Sequence, residues 1–274
     1  MSQPTPPAHV LVTGATSGIG AEVARLLSAQ GFRVSGAGRR TELVPPGVTP
    51  VSLDLTDEAS IHRAHAEATA ESGPVEVLVN AAGLGQFGAI EDVTLAQARR
   101  QLEVNVLGQL ELTRRCLPGM RAAGRGRVVM VSSLAGEFAA PMCGWYHASK
   151  FALEALSDSL RMETDRHGIE VVVVQPGPVD TPWHEQALLE LRQTSGGGAY
   201  AEAAAGAEAY LTGSQMRQVT STIAEVAAAV VGAATTPRPA PRIRVGRGAR
   251  MAVAMSRLLP TRTFDRLTRQ QFGC

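Results

Sequence analysis

Cysteine is scarce in this 274-residue chain, where Cys116, Cys143 and Cys274 are odd in number, widely spaced and free of any C-x-x-C pair. That pattern excludes a disulfide framework and a zinc site of ordinary spacing, and it implies a reducing, cytoplasmic home. Long apolar runs are missing as well. No stretch approaches the roughly twenty residues that a bilayer-crossing helix needs. Residues 1–7 are expected to form a disordered tail, since Met1 to Ala8 is proline-rich and has neither the basic start nor the apolar centre of a signal peptide. His62 and His65 have no metal-ligand partners at suitable spacing and read as surface residues, so no metal site is expected.

With 45% apolar residues and a net charge of +1, the chain is long enough to bury one substantial core, and residues 1–274 are expected to form one domain. Apolar β-branched runs place strands near 8–13, 32–37, 49–53, 75–80, 127–132, 170–175 and 242–246, alternating with helical patterns. That alternation is the signature of an α/β fold, a doubly wound, Rossmann-like parallel sheet with helices on both faces.

Three local patterns carry chemistry. The strand His9 to Val12 runs into Thr13-Gly14-Ala15-Thr16-Ser17-Gly18-Ile19-Gly20 and then into a helical pattern. Glycine lets such a loop turn tightly and removes the Cβ that would separate its backbone from a diphosphate seated on the helix's unpaired N–H groups. The G-x-x-x-G-x-G spacing lacks the Lys-Ser/Thr ending of a nucleotide-hydrolysing loop, so a dinucleotide fits and ATP hydrolysis does not. Further on, Val128 to Val131 reads as a buried strand ending in Ser132 and Ser133, with Ser133 directed at the crevice and Ser132 facing away. Tyr146 and Lys150 follow four residues apart, stacking a phenol beside an ammonium on one helical face. A neighbouring positive charge is expected to pull the phenol's pKa down toward neutrality and make it a usable acid.

Together these residues resemble the short-chain dehydrogenase/reductase family, from about Val10 to Thr181. The shared patterns are Thr13-Gly14-x-x-x-Gly18-x-Gly20, Asp54-Leu55, Asn80-Ala81-Ala82-Gly83, Asn105, Ser133, Tyr146-x-x-x-Lys150 and Pro176-Gly177 leading to Thr181. The resemblance implies strand order 3-2-1-4-5-6-7. Ser133 lies thirteen residues before Tyr146, the family's usual interval, which selects it over Ser132. By the same resemblance Tyr146 exchanges a proton with a carbonyl or alcohol, Lys150 lowers its pKa and holds the nicotinamide ribose, Ser133 orients the substrate oxygen, and the side chain of Asn105 holds a relay water. Implied cofactor contacts come from Gly14, Thr16, Ser17, Gly18, Ile19 and Gly20; from Asp54 and Leu55; from Asn80, which would brace the central strands, with Ala81, Ala82 and Gly83; and from Pro176, Gly177, Val179 and Thr181. Family members commonly pair the helices around 94–122 and 145–167 between subunits, so a homodimer or homotetramer is expected.

NAD-dependent relatives place an acid after the second strand, yet here Gly38-Arg39-Arg40 offers none. A guanidinium fork suits a 2′-phosphate where a carboxylate would repel it, so NADP(H) is the expected cofactor, with Arg39 as principal anchor and Arg40 assisting. Residues 183–220 read as a substrate lid, and the triple glycine at 196–198 argues for a mobile flap. Trp183, Phe87 and Met142 are expected in an apolar wall, along with Leu188, Tyr200, Tyr210 and Met216; His147 and His184 lie near the crevice. The segment 248–274 is basic and amphipathic, interrupted by Pro260, and fits a helix packed on its own domain or a peripheral membrane contact. No nucleic-acid recognition motif accompanies its charge.

The function these residues imply is NADPH-dependent reduction of a bulky, apolar ketone or aldehyde. Oxidation of a steroid-, retinoid- or secondary-metabolite-type alcohol is the alternative within the same chemistry. A non-catalytic NADP(H)-binding regulator is the alternative of another class.

Overall fold

The computed structural model describes residues 8–273; the expected disordered tail and Cys274 lie outside them. Seven strands form one all-parallel sheet in the order β3-β2-β1-β4-β5-β6-β7. They are β1 His9–Thr13, β2 Arg33–Gly38, β3 Thr49–Ser52, β4 Val77–Asn80, β5 Gly126–Val131, β6 Ile169–Pro176 and β7 Arg242–Val245. Each begins and ends within two residues of the sequence expectation.

Period-two alternation divides the core between the sheet's two faces. Val10, Val12, Val79, Val129, Val172 and Val174 point to one side. There they meet Val23 and Leu27 of α1 (Gly18–Ala29) and Val226 and Val230 of α9 (Ile223–Thr235). Leu11, Leu78, Val128, Met130, Val171 and Val173 point to the other. Their partners are Ile61 of α2 (Glu58–Ser72), Leu112 and Cys116 of α4 (Gly108–Ala122), and Leu153 of α5 (Gly144–Thr164). Both faces are covered, so these strands are apolar nearly throughout rather than alternating with polar residues. Each fully buried Val or Leu is worth roughly 1.5–3 kcal/mol.

The helix expected over 94–122 is in fact interrupted. α3 (Leu95–Leu102) leads into a π-helical turn, Glu103–Leu107, before α4 resumes. One residue more per turn rotates the two halves relative to each other, and Asn105 occupies this turn fully buried.

Residues 183–220, expected as a flap, are mostly helical. α6 (Pro182–Ser195), α7 (Ala201–Thr212) and α8 (Ser214–Val219) fill the segment, and Gly196–Gly198 occupies only the link that precedes a single turn at Gly198–Tyr200. Leu188 and Leu191 of α6 pack with Ala204 and Ala207 of α7 against Phe87, which gives the helices a small core of their own.

Candidate active site

Strand order reverses between β1 and β4, where the loops leaving the carboxyl ends of neighbouring strands diverge and open a crevice. A cavity of about 890 Å³ occupies it. Its walls include the loop after β1, Arg39 and Arg40 after β2, Asp54 and Leu55 after β3, Ala81 to Leu84 after β4, Ser133 after β5 and Gly177 after β6.

At one end lies the glycine loop. Gly18, the first residue of α1, has φ +54°, a left-handed geometry that side chains disfavour, and a Cβ there would meet only Thr181 within 4 Å. Gly14, at φ +69°, shares that geometry, and its Cβ would also lie 2.9 Å from the Ala82 backbone. Ser17 caps α1 in an extended conformation without using its side chain, so the N–H groups of the first turn face the crevice without a side-chain cap. Thr13 closes the floor, its hydroxyl oxygen accepting from the backbone N–H groups of Ala81 and Ala82 at 3.0 and 3.1 Å. These features form an anion cradle that fits a diphosphate.

Arg39 and Arg40 border the same cavity, are exposed and make no ion pair among the described residues, so both guanidinium groups can reach a ligand. A third cation, Arg100 of α3, borders it too. Asp54 accepts from the backbone N–H and hydroxyl of Thr56 at 2.9 and 2.8 Å. Those bonds, the backbone one foremost, hold its carboxyl below the usual range against partial burial, with lesser help from Arg39 and Arg100.

The other end holds the proton-transfer candidates. Ser133 lies beside the Tyr146 hydroxyl, where it lowers the phenol's pKa against the larger effect of burial, and the Ser133 oxygen accepts from the Ala135 N–H at 3.1 Å. Lys150 is 4% exposed, donates to the Val131 carbonyl at 3.0 Å and lies 5.9 Å from the centre of the Tyr146 ring. The electrostatics depart from the sequence expectation. Burial pushes the Tyr146 phenol up to about 12, opposed by Ser133, with a small further rise from Cys143. Burial also brings the Lys150 ammonium down to about 8, Glu154 opposing. Desolvation is the largest influence on both groups, and the phenol is held protonated at neutral pH. Around it, Tyr146 packs with Phe87 at 5.8 Å and Trp183 at 5.1 Å between ring centres, which accounts for the burial.

Asn105 stands behind this site rather than in it. Its amide accepts from the Leu84 N–H at 2.8 Å and donates to the Leu84 carbonyl at 2.9 Å and to Ser149 at 3.0 Å. The reading of this side chain as a water holder is therefore corrected, because its groups are committed to positioning the loop after β4. Gln101 and Gln109 do the same work on either side of it. Gln101 accepts from the Gln86 N–H at 2.6 Å, and Gln109 donates to the Ala82 carbonyl at 2.7 Å. All three amides are fully buried, and residues 101, 105 and 109 form an i, i+4, i+8 series that was visible in the sequence.

Four further expectations of a place at the cavity are corrected, those for Asn80, Met142, Leu188 and Tyr200. Asn80 does not border the cavity; fully buried, it donates to Thr113 at 3.0 Å and to the Met130 sulfur at 3.3 Å, tying β4 to α4 and β5. Met142, with φ +62°, packs into the core beside Leu188 instead of the wall, because its side chain turns away from the crevice. Leu188 is likewise core, and Tyr200 donates to Glu91 at 2.7 Å away from the cavity. Ser132, expected to face away, borders the cavity as well, and its buried hydroxyl has no hydrogen-bond partner among the described residues. Phe87, Trp183, Tyr210, Met216, His147 and His184 do border the cavity.

The largest omission is the carboxyl end. α10 (Ala249–Leu258) and α11 (Thr261–Phe272) fold back over the cavity and contribute Met251, Met255, Phe264, Leu267 and Phe272 to its wall. Pro260 separates the two helices as its fixed φ requires. Phe264 meets Phe138 at 6.0 Å and Phe272 meets Tyr210 at 4.8 Å between ring centres. Arg257 clasps buried Glu137 at 2.6 Å, with Arg244 at 3.0 Å on its other oxygen.

A family model described as short chain dehydrogenase matches residues 8–191. The chain is 37% identical over 175 residues to a 3-ketodihydrosphingosine reductase of Bacteroides thetaiotaomicron, covering 64% of this chain and 65% of that one. It is 36% identical over 186 residues to an NADPH-dependent 3-dehydrocapnine reductase of Ornithobacterium rhinotracheale, covering 63% and 66%. The chain thus spans just under two thirds of the length of these curated relatives. Over nearly its full length it is similar to the crystal structure of a short-chain dehydrogenase from Streptomyces avermitilis, with 32% identity, TM-score 0.79 and coverage of 98% and 97%.

Proposed function

This chain belongs to the short-chain dehydrogenase/reductase family, and from that premise we propose that it is an NADPH-dependent reductase of a bulky, apolar ketone or aldehyde. The observation that carries this reading is a phenol held protonated at the lined end of a cavity whose other end is an anion cradle with two unpaired arginines. Arg39, with Arg40, would take the 2′-phosphate through charge-assisted bonds, and the α1 N-terminus would take the diphosphate. The bound nicotinamide supplies hydride.

The chain's own residues do the rest. Ser133 donates its single hydroxyl hydrogen to the substrate oxygen beside Tyr146, fixing the distance over which a proton passes from phenol to alkoxide. Lys150 supplies a positive charge beneath the ring. Gln101, Asn105 and Gln109 hold the loop that forms the cavity's floor. Phe87, Trp183 and the α10–α11 wall exclude water. A phenol that keeps its proton favours reduction over alcohol oxidation at neutral pH. Two relatives named as reductases, one of them NADPH-dependent, support the same direction and cofactor. A regulator without turnover would have no use for a Ser133–Tyr146–Lys150 set with its ammonium buried, because burying an ammonium is costly. Buried, unpaired Cys116 and Cys143 suit a reducing, cytoplasmic setting.

The test is a panel of ketones and aldehydes of graded chain length, followed by cofactor absorbance with NADPH and with NADH. The reading predicts turnover with NADPH, faster for longer apolar chains; an NADH preference, or turnover only with small polar carbonyls, would contradict it.

A further inference from the structure

α10 buries one side, Ala249 and Val253, and leaves the opposite side bare. Met251, Met255 and Leu258 recur on that side at i, i+4 and i+7, exposed by 66, 42 and 81%. Leu267 of α11 is exposed by 38%. Met251, Met255 and Leu267 also border the cavity, so the apolar stripe is the rim of its mouth. Arg247 borders the cavity as well, and Arg250 of α10 and Arg262, Arg266 and Arg269 of α11 are exposed on the same two helices, none in an ion pair among the described residues, with Asp265 the only acid from Arg247 to Phe272. Arg262, Arg266 and Arg269 share one exposed face of α11.

An apolar stripe flanked by unpaired arginines matches the surface of an anionic bilayer, where the stripe enters the acyl boundary and the guanidinium groups meet lipid phosphates. A second copy of this chain matches it poorly, because a two-fold contact sets the same patch against itself and so arginine against arginine. We propose that α10 and α11 dock this protein on an anionic lipid bilayer and open its cavity directly to that bilayer, from which a long-chain, membrane-dissolved ketone enters past Met251 and Met255. The route of substrate entry rests on the reductase reading above; the docking itself does not.

The experiment is flotation of the full chain with two kinds of vesicle, pure phosphatidylcholine and an equal mixture of phosphatidylcholine and phosphatidylglycerol. Two variants accompany it, Leu258→Asp and the pair Arg262→Glu with Arg266→Glu, all exposed and outside the cavity wall. Wild type should float with the anionic vesicles and not the neutral ones, and each variant should lower the bound fraction about tenfold or more while reducing a short, water-soluble ketone at the wild-type rate. Failure of wild type to bind anionic vesicles would overturn the proposal. So would equal binding by the variants, or a wild-type dimer that Leu258→Asp dissolves without any vesicle binding. If docking holds but no ketone is reduced, the catalytic reading alone falls.

Discussion

The first two thirds of this chain and its last third build the same cavity by different means. From β1 to β6, function rests on backbone geometry and single polar groups, such as Gly18 at φ +54°, Thr13 beneath two amide groups and Tyr146 against Ser133. From α6 onward it rests on apolar side chains spread over several helices, including Trp183, Tyr210, Phe264 and Phe272, any of which another hydrophobe of similar size could replace. Cofactor handling and proton transfer therefore belong to a part with little freedom to vary, and substrate choice to a part with much. The family model's match stops at residue 191, close to this division.

The sharpest way to break the contrast is Ser133→Ala. It removes the one group that opposes the burial-driven rise of the Tyr146 phenol, together with a donor to the substrate oxygen. Turnover should fall about 100-fold for every ketone tested, as for loss of an oxyanion donor. A loss confined to some substrates would move Ser133 into the specificity part. Next in size is Arg39→Ala, which should raise the KM for NADPH roughly tenfold to 100-fold, the cost of a charge-assisted contact, and leave that for NADH nearly unchanged. Equal loss with both cofactors would deny Arg39 its phosphate.

Phe264→Ala examines the other side of the comparison. Its ring packs on Phe138 at the cavity wall, so kcat/KM for long-chain ketones should drop about tenfold relative to short ones, with NADPH affinity intact. A uniform drop would mean that α11 supports the chemistry and not the selection.

Lys150→Met gives a smaller, structural effect. Lys150 titrates near 8 in the folded protein and at 10.5 in the unfolded reference, so the cost of burying its charge is fully present below about pH 8. Between pH 8 and 10.5 the folded chain releases the proton first and stability rises. Replacing the ammonium with a thioether should thus stabilise the protein at pH 7 by about 2 kcal/mol, a few degrees in Tm, and the advantage should shrink by pH 10. Thermal melts at the two pH values check this; a variant less stable than wild type at pH 7 would show that the Val131 bond outweighs desolvation.

How well the sequence could be read follows the same division. The seven strands and the glycine loop were legible because spacing and backbone demands leave few solutions, and the strand order because the family resemblance implies it. Ser133, Tyr146 and Lys150 were legible because one strand end and one helical turn bring them together. The acidity of Tyr146 was not, since the aromatic rings that bury it come from Phe87 and Trp183, distant in sequence. The water-holding role that the resemblance implies for Asn105 does not carry over, because its buried amide is committed to Leu84 and Ser149 alongside Gln101 and Gln109. The α10–α11 wall was hidden for a physical reason. An amphipathic pattern reveals that a helix has an apolar side but not what that side covers.

The central claim, that the buried Tyr146 phenol is the proton donor, is tested most directly by single-turnover reduction of a long-chain ketone by NADPH in Tyr146→Phe, with NADPH binding measured on the same samples. The account predicts unchanged NADPH binding and a rate lower by about 100-fold to 10,000-fold, the usual range for a lost general acid. A rate within a few-fold of wild type would contradict it.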